Sequence, residues 1–141
     1  GMLSAMSPSR EWGGNIQDAK LVARGLDAPM QYGDNLIKAE RIRDGESPLD
    51  VLGGLKVIPF YLAITNPRGD DPIPVVDRHA SHVYKGARLT DYERRKLSNV
   101  RVMNRIQGAY RKVARKEGLH VHALQGITWV QCKVENGDIQ L

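Results

Sequence analysis

Residues 49–80 read LDVLGGLKVIPFYLAITNPRGDDPIPVVDRHA, and this stretch decides the fold. Gly53 and Gly54 stand just before Lys56, and a glycine turn lets the backbone approach a phosphate because glycine has no Cβ. Residues 57–64 are an apolar run with a proline near its start, which predicts a buried helix. The pattern therefore predicts a helix, a glycine hairpin and a second helix over residues 49–60.

The second half of the stretch leads to an acidic side chain. Residues 67–74 are rich in proline, glycine and aspartate and predict a loop. Val75 and Val76 then return the chain to the core immediately before Asp77. We expect the Asp77 carboxylate at the edge of apolar packing, where it caps the next helix or takes part in chemistry, and one aspartate can do both.

Length and composition limit the remaining possibilities. A chain of 141 residues predicts one domain over residues 1–141. The net charge of +5 and the pI near 9.5 favour a polyanionic partner. Cys132 is the single cysteine, which excludes an internal disulfide framework and a four-cysteine iron–sulfur cluster. No apolar run is long enough to cross a bilayer, so we expect an intracellular protein without a membrane partner.

Helical patterns cover most of the chain and predict an all-α fold. Thr90 and Glu93 have the spacing of a capping box, so a helix begins there. Its apolar stripe at helical spacing is formed by Val100, Met103, Ile106, Tyr110 and Val113. Gly108 weakens a helix, and a break is expected at residues 104–108. The last segment fits a helix or, in part, a strand, and its context favours the helix. The predicted helices cover residues 10–24, 34–43, 49–52, 57–64, 78–84, 90–118 and 119–134.

Residues 94–116 hold nine lysines and arginines and no acidic residue. Such a run is either a solvated helix face or a surface that neutralises phosphates. The four histidines have no recognised metal-ligand spacing, and we expect surface or capping roles for them and no metal site. These histidines are His79, His82, His120 and His122.

Two short motifs resemble the helix-hairpin-helix DNA glycosylases of the endonuclease III branch. Residues 52–56 (LGGLK) are similar to the hairpin of that family, L-P-G-hydrophobic-G-x-K, and residues 76–79 (VDRH) are similar to its V-D-T-H motif. The chain departs from the hairpin pattern because Leu52 replaces the first glycine and the proline is missing. The resemblance implies a compact, reduced glycosylase-like helical domain, with the catalytic aspartate motif at about residues 75–80.

The resemblance also implies roles for individual residues. Asp77 would assist departure of a base and stabilise positive charge on the sugar. Lys56 would attack the sugar C1′. Considered apart from the resemblance, Lys56 contacts phosphate or is an ordinary solvated lysine at the start of a helix. Gly53 and Gly54 would bind a DNA phosphate, with a monovalent cation held at the hairpin and no other cofactor. Alternatively, Gly53 and Gly54 form an ordinary turn without a ligand. Arg78 and His79, beside the aspartate, are predicted to contact DNA.

The N-terminal segment adds to the likeness. Residues 3–6 (LSAM) resemble an L-S-A-Q stretch of the superfamily, so Met6 and Ser7 are predicted to contact DNA, with Met6 as an apolar wedge beside a flipped base. The family has a helix before this point. The resemblance therefore implies either a trimmed version of the fold or a neighbouring molecule, such as a second copy of the chain, that covers the exposed face. Residues 124–129 (LQGITW) are similar to the end of phage-encoded glycosylase-like proteins.

The expected function is therefore that of a DNA glycosylase, with strand-cleaving lyase activity if Lys56 is the nucleophile. Two alternatives stay open. One is a phage-type base-hypermodification enzyme related to the thymidine pyrophosphorylases, which would transfer a group on a pyrimidine. The other is a DNA-binding module without catalysis.

Overall fold

The computed structural model describes residues 1–8, 10–29, 33–70 and 72–140. All regular secondary structure in these ranges is helical, so the all-α prediction is confirmed. The described helices are α1 Met2–Ala5, α2 Trp12–Ala23, α3 Gly33–Arg43, α4 Pro48–Val51, α5 Val57–Thr65, α6 Arg78–Lys85, α7 Asp91–Leu97, α8 Val100–Lys116 and α9 Val121–Glu135.

The chain divides into two compact units, Gly1–Tyr61 and Leu62–Leu141. The boundary between them falls inside α5. The expectation of one domain over residues 1–141 stays a prediction. Each unit has its own apolar core, and each is described by itself below.

The first unit packs α1, α2 and α4 around α3. Two buried polar side chains of α2 tie this unit together. Asn15 Nδ2 donates to the Leu3 carbonyl at 2.9 Å, and the Asp18 carboxylate pairs with Arg10 at 2.8 Å. The buried apolar residues of this core are Ala5, Met6, Val22, Ala28, Ala39 and Leu52.

Helix α5 forms as predicted but is not a buried helix. Pro59 is its one buried residue, and Ile64 is 44% exposed. The sequence is apolar on every side of this helix, whereas a core covers one side of a surface helix. Val57, Ile58 and Tyr61 supply the side that packs against the core of the first unit.

The second unit packs α6 against α7, α8 and α9, and α8 against α9. Helix α6 begins at the Asp77 cap and ends at Gly86, whose φ of +66° is the left-handed conformation that glycine adopts most readily. The buried apolar residues of this core are Val76, Ala80, Met103, Ile106, Tyr110, Ala114, Val121 and Leu124.

The break in the long basic segment lies earlier than the sequence indicates. The Thr90–Glu93 capping box is confirmed, but α7 ends at Leu97 and Asn99 caps α8, its Oδ1 accepting from the Val102 N–H at 3.0 Å. A new cap at Asn99 outweighs the cost of a glycine inside α8, so the helix runs unbroken through Gly108. Val100 and Val113 were expected in the apolar stripe and are 58% and 44% exposed instead.

The predicted loop before Asp77 is confirmed in its described residues, and side chains of α8 and α9 hold it. Gln125 accepts from the Val75 N–H at 3.0 Å and donates to the Val75 carbonyl. Gln107 donates to the Pro74 carbonyl at 3.1 Å, and Arg111 to the Pro72 carbonyl at 3.2 Å. These bonds fix the backbone that delivers Asp77 to the start of α6.

Within the described ranges, none of the helices combines the length and apolar character that a bilayer crossing requires.

Candidate functional site

Asp77 caps α6 with one of its two carboxylate oxygens. The Ala80 N–H donates to Oδ1 at 2.8 Å, and the Ser81 hydroxyl donates to the Asp77 carbonyl at 3.0 Å. No described residue donates to Oδ2, and the side chain is half-buried. The capping role is therefore present, and one oxygen remains available to a ligand.

The glycine hairpin joins α4 to α5 through residues 52–56, which confirms the predicted order of helix, turn and helix. Gly54 has a φ of +91°, a conformation that a side chain would strain. None of the N–H groups of residues 53–56 donates a hydrogen bond to a described residue, and Gly53 and Gly54 are exposed. Free amides at such a turn are suited to an anion. The predicted phosphate contact and monovalent cation stay predictions.

Lys56 lies at the end of this hairpin, half-buried and without an ion pair among the described residues. It belongs to the first unit, whereas Asp77 belongs to the second. The catalytic roles expected of Lys56 and Asp77 stay predictions.

The remaining predicted DNA contacts differ in exposure. Met6 has no exposed surface and is a core residue of the first unit, so contact with DNA would require that core to open. Ser7 is half-buried, and its hydroxyl donates to the Ser4 carbonyl at 3.0 Å. Arg78 is exposed, and its Nε donates to Nε2 of His79 at 3.2 Å. His79 is only 5% exposed, which leaves its ring little surface for DNA.

Helix α8 presents exposed cations on the side opposite its buried residues. We define the basic face as Arg101, Arg105, Lys112 and Arg115. At 100° per residue these four positions fall within an arc of about 80°, and they span about 21 Å of helix. Arg101, Arg105 and Lys112 form no ion pair with a described residue. Several unpaired cations in a row are suited to a line of phosphates.

The charge of the chain is concentrated in the unit that carries this face. Residues 62–141 contain 14 lysines and arginines against 8 aspartates and glutamates. Residues 1–61 contain 7 against 8. The whole net positive charge therefore belongs to the second unit.

A buried cluster of three potential metal ligands lies where α6 packs against α9. His79 and His82 are one helical turn apart on α6, and Cys132 comes from α9. One ligand atom of each residue lies within 4.8 Å of the other two. The three residues are 5%, 8% and 6% exposed. We refer to them as the His–Cys cluster.

The protonation of the cluster follows from its burial. Burial lowers the pKa of His82, and the neighbouring Arg94 lowers it further. Burial also lowers the pKa of His79, although Asp77 opposes this shift. Burial raises the pKa of the Cys132 thiol. The cluster therefore contains two neutral imidazoles and a neutral thiol near neutral pH.

The cluster borders an open cleft of about 390 Å³ within the second unit. His82 and Cys132 line this cleft together with Gln131 and Glu135 of α9 and Asn136, the C-cap of that helix. His82 and Cys132 therefore belong both to the cluster and to the wall of the cleft.

A family model, described as a family of unknown function, matches residues 1–136. The chain belongs to the DUF7178 family. No curated protein and no solved structure matches the chain. Membership in DUF7178 carries no stated activity, so the function must be argued from the residues described above.

The His–Cys cluster of this DUF7178 chain corrects the expectation for two of its histidines. His120 caps α9 as expected, its Nδ1 accepting from the His122 N–H at 3.3 Å. His79 and His82 were expected at the surface or in caps and are buried instead. The sequence signal was the spacing of these two on one helix face, but Cys132 is 50 residues beyond His82 and only the packing of α6 on α9 brings it close.

Proposed function

We propose that this DUF7178 protein binds DNA and acts on a nucleotide turned out of the duplex, with Asp77 as its catalytic carboxylate. The observation that carries the proposal is that Asp77 begins a helix, α6, which packs directly against α7 and α8. Those two helices hold the acid-free basic segment of residues 94–116. The Asp77 carboxylate and the basic segment thereby lie in one unit, and this supports the proposal.

The binding step rests on electrostatics. Each phosphate neutralised by a cation releases condensed counterions, and this release supplies most of the sequence-independent affinity for DNA. The basic face offers four exposed cations along one line, and the exposed Arg95 and Lys96 of α7 add to the same charge. The free amides of residues 53–56 are a further place for a phosphate oxygen.

The chemical step rests on the two oxygens of Asp77. The N-cap bond to Oδ1 fixes the carboxylate, and Oδ2 is left to face positive charge that develops on a sugar as its base departs. The target nucleotide must leave the stack because its glycosidic carbon is unreachable inside a duplex. Water or the Lys56 amine then attacks C1′, and attack by the amine gives a Schiff base that permits strand cleavage.

The binding step is tested with a triple variant of the basic face, R101Q/R105Q/K112Q. Affinity for a fluorescent duplex is measured by anisotropy over a series of salt concentrations. Each lost phosphate contact should lower the slope of log K against log salt by about 0.9, so we expect a slope up to about 2.7 smaller. The matched control is K20Q/R24Q/K38Q, which removes three cations from the first unit.

The control should leave the slope unchanged. Equal losses in both triple variants would show that total charge, and not the basic face, governs binding. An unchanged slope in R101Q/R105Q/K112Q would contradict the proposed interface.

The chemical step is tested on a panel of damaged and modified duplexes, with base release, strand incision and borohydride trapping as measurements. Asp77→Asn should abolish base release while keeping DNA affinity, because asparagine retains the capping acceptor and loses the charge. A trapped adduct that disappears in Lys56→Ala identifies the lysine as nucleophile. Base release without an adduct assigns the attack to water.

A DNA-binding module without catalysis is the second candidate, favoured by the basic face because that surface needs no contribution from Asp77. It predicts salt-dependent binding with no product from any duplex, and identical binding by Asp77→Asn. Turnover confined to a phosphorylated pyrimidine would instead indicate the group-transfer chemistry of a hypermodification enzyme.

A further inference from the structure

The His–Cys cluster is the one group of potential metal ligands brought together among the described residues, and the DNA-directed proposal does not use it. Nitrogen from two imidazoles and sulfur from one thiolate make a mixed donor set. Such a set suits a borderline divalent metal, Zn²⁺ above all, and does not suit Mg²⁺ or Ca²⁺, which take oxygen ligands.

His82 supplies an independent indication of a ligand. Both of its ring nitrogens are buried, and neither has a hydrogen-bond partner among the described residues. A buried polar atom without a partner is destabilising, and native structures contain few of them. A metal ion bound to one of these nitrogens would remove that cost.

His79 and Cys132 are already oriented towards each other. His79 Nδ1 lies 3.9 Å from Cys132 Sγ, and Asn136 Nδ2 donates to the same sulfur at 3.2 Å. Donation of an N–H to a ligand sulfur is the kind of outer contact that supports a metal-bound thiolate. Asn136 and Cys132 both line the cleft.

The spacing of the cluster is close to that of a bound ion. Zn–N bonds of about 2.0 Å and Zn–S bonds of about 2.3 Å at tetrahedral angles place ligand atoms about 3.3–3.6 Å apart. The ligand atoms here lie within 4.8 Å of one another, so side-chain movements of about 1 Å would close the site. The adjoining cleft leaves a fourth position open to water or to an entering ligand.

We propose that His79, His82 and Cys132 bind one Zn²⁺ ion whose fourth position opens into the cleft between α6 and α9. On binding, the thiol proton of Cys132 passes to solvent and the thiolate takes its place as ligand. If His79 binds through Nδ1, its ring proton moves to Nε2, and the exposed Arg78 must then release that nitrogen. The proposal stands whether or not the protein acts on DNA.

The experiment uses the full chain, prepared without a histidine tag and freed of metal by chelation. Titration with Co²⁺ should give one equivalent of a complex with thiolate-to-cobalt charge transfer and the strong visible bands of four-coordinate cobalt. One equivalent of Zn²⁺ should then bleach the spectrum. Metal analysis of the protein after dialysis against Zn²⁺ should likewise give one ion per chain.

Two variants test the ligands, and a third is the matched control. Cys132→Ser and His82→Gln should each lower Zn²⁺ affinity by at least about 100-fold, more than the loss of an outer contact costs, and Cys132→Ser should also remove the charge-transfer band. The matched control is His120→Asn, which changes a histidine outside the cluster and keeps a capping side chain on α9. It should bind one Zn²⁺ with unchanged affinity.

Several results would overturn the proposal: no cobalt uptake by the wild-type chain, a complex without the thiolate band, or full uptake by Cys132→Ser and His82→Gln. Uptake of Cu²⁺ with no uptake of Zn²⁺ would overturn the assignment of the metal. If a variant fails to fold by circular dichroism, the wild-type cobalt spectrum still decides, because Cys132 is the only thiol that can produce the band.

Discussion

Asp77 has two roles that can be separated by substitution. Its Oδ1 closes the first turn of α6 through the Ala80 N–H, and its Oδ2 is unused among the described residues. The cap depends on an acceptor oxygen at this position, whereas the proposed chemistry depends on negative charge. Alanine removes both, and asparagine removes only the charge.

We predict that Asp77→Ala lowers the free energy of unfolding by about 1 kcal/mol, the usual cost of losing an N-cap, and that Asp77→Asn changes it by a few tenths at most. Urea unfolding followed by circular dichroism measures both. Equal destabilisation by the two variants would mean that the charge, and not the hydrogen-bond acceptor, stabilises α6.

Single residues differ in how far the sequence alone could predict them. The position of Asp77 was predictable because two valines before it and a helical pattern after it define a cap. The environment of Cys132 was not, since a lone cysteine with no histidine near it in sequence carries no spacing signal. The burial of Met6 was also missed, because the likeness of residues 3–6 to the L-S-A-Q stretch assigned this residue to DNA. Only the fold shows that Met6, at the end of α1, packs into the core of the first unit.

The segment before α6 is held in place by side-chain hydrogen bonds and not by regular secondary structure. Residues 72–77 make no helix and no strand, yet Gln107, Arg111 and Gln125 satisfy three of their backbone carbonyls and one N–H. Gln125 is the central contact because its amide pairs with both the N–H and the carbonyl of Val75.

We predict that Gln125→Ala lowers the free energy of unfolding by about 1–3 kcal/mol, because it leaves the part-buried Val75 N–H without a partner. The Val75 carbonyl loses one of its two donors and keeps the Asp77 N–H at 3.1 Å. Hydrogen exchange at the Val75 amide should accelerate at the same time. The control is Gln131→Ala on the same helix, whose exposed bond to Glu135 should contribute within about 0.5 kcal/mol. Slow exchange at Val75 in Gln125→Ala would contradict the anchoring role.

Elements with local signals were predictable, and elements defined by packing were not. The Thr90–Glu93 box and the glycines after α2, α3 and α6 mark helix ends by short-range chemistry, and the structure has those ends. The exposure of α5 depends on how much of its surface the rest of the protein covers. A run of apolar residues does not indicate how large that covered surface is. The glutamine contacts to residues 72–77 likewise join positions at least 33 residues apart.

At the scale of the whole molecule, the all-α class followed from helical patterns along the chain, and the basic composition was visible at once. The division into a nearly neutral unit and a strongly basic one required the structure, because the boundary falls inside α5, where the composition shows no linker. The basic unit also holds Asp77, the basic face and the His–Cys cluster.

Helix α8 places cations four residues apart at three pairs of positions: Arg101 and Arg105, Arg111 and Arg115, and Lys112 and Lys116. Like charges at this spacing repel by about 0.2–0.5 kcal/mol per pair, and no acidic side chain of α8 relieves them. We predict that raising NaCl from about 0.05 to 0.5 M increases the melting temperature of the free protein by about 3 °C, measured by circular dichroism.

The variant R101Q/R105Q/K112Q should show a smaller rise, and a wild-type melting temperature that falls with salt would contradict the repulsion. The same ions would thus act in opposite directions on the two states of the protein. Salt ions would stabilise the free protein by shielding its cations from one another. They would lower its affinity for a polyanion, because the polyanion binds by neutralising the same cations.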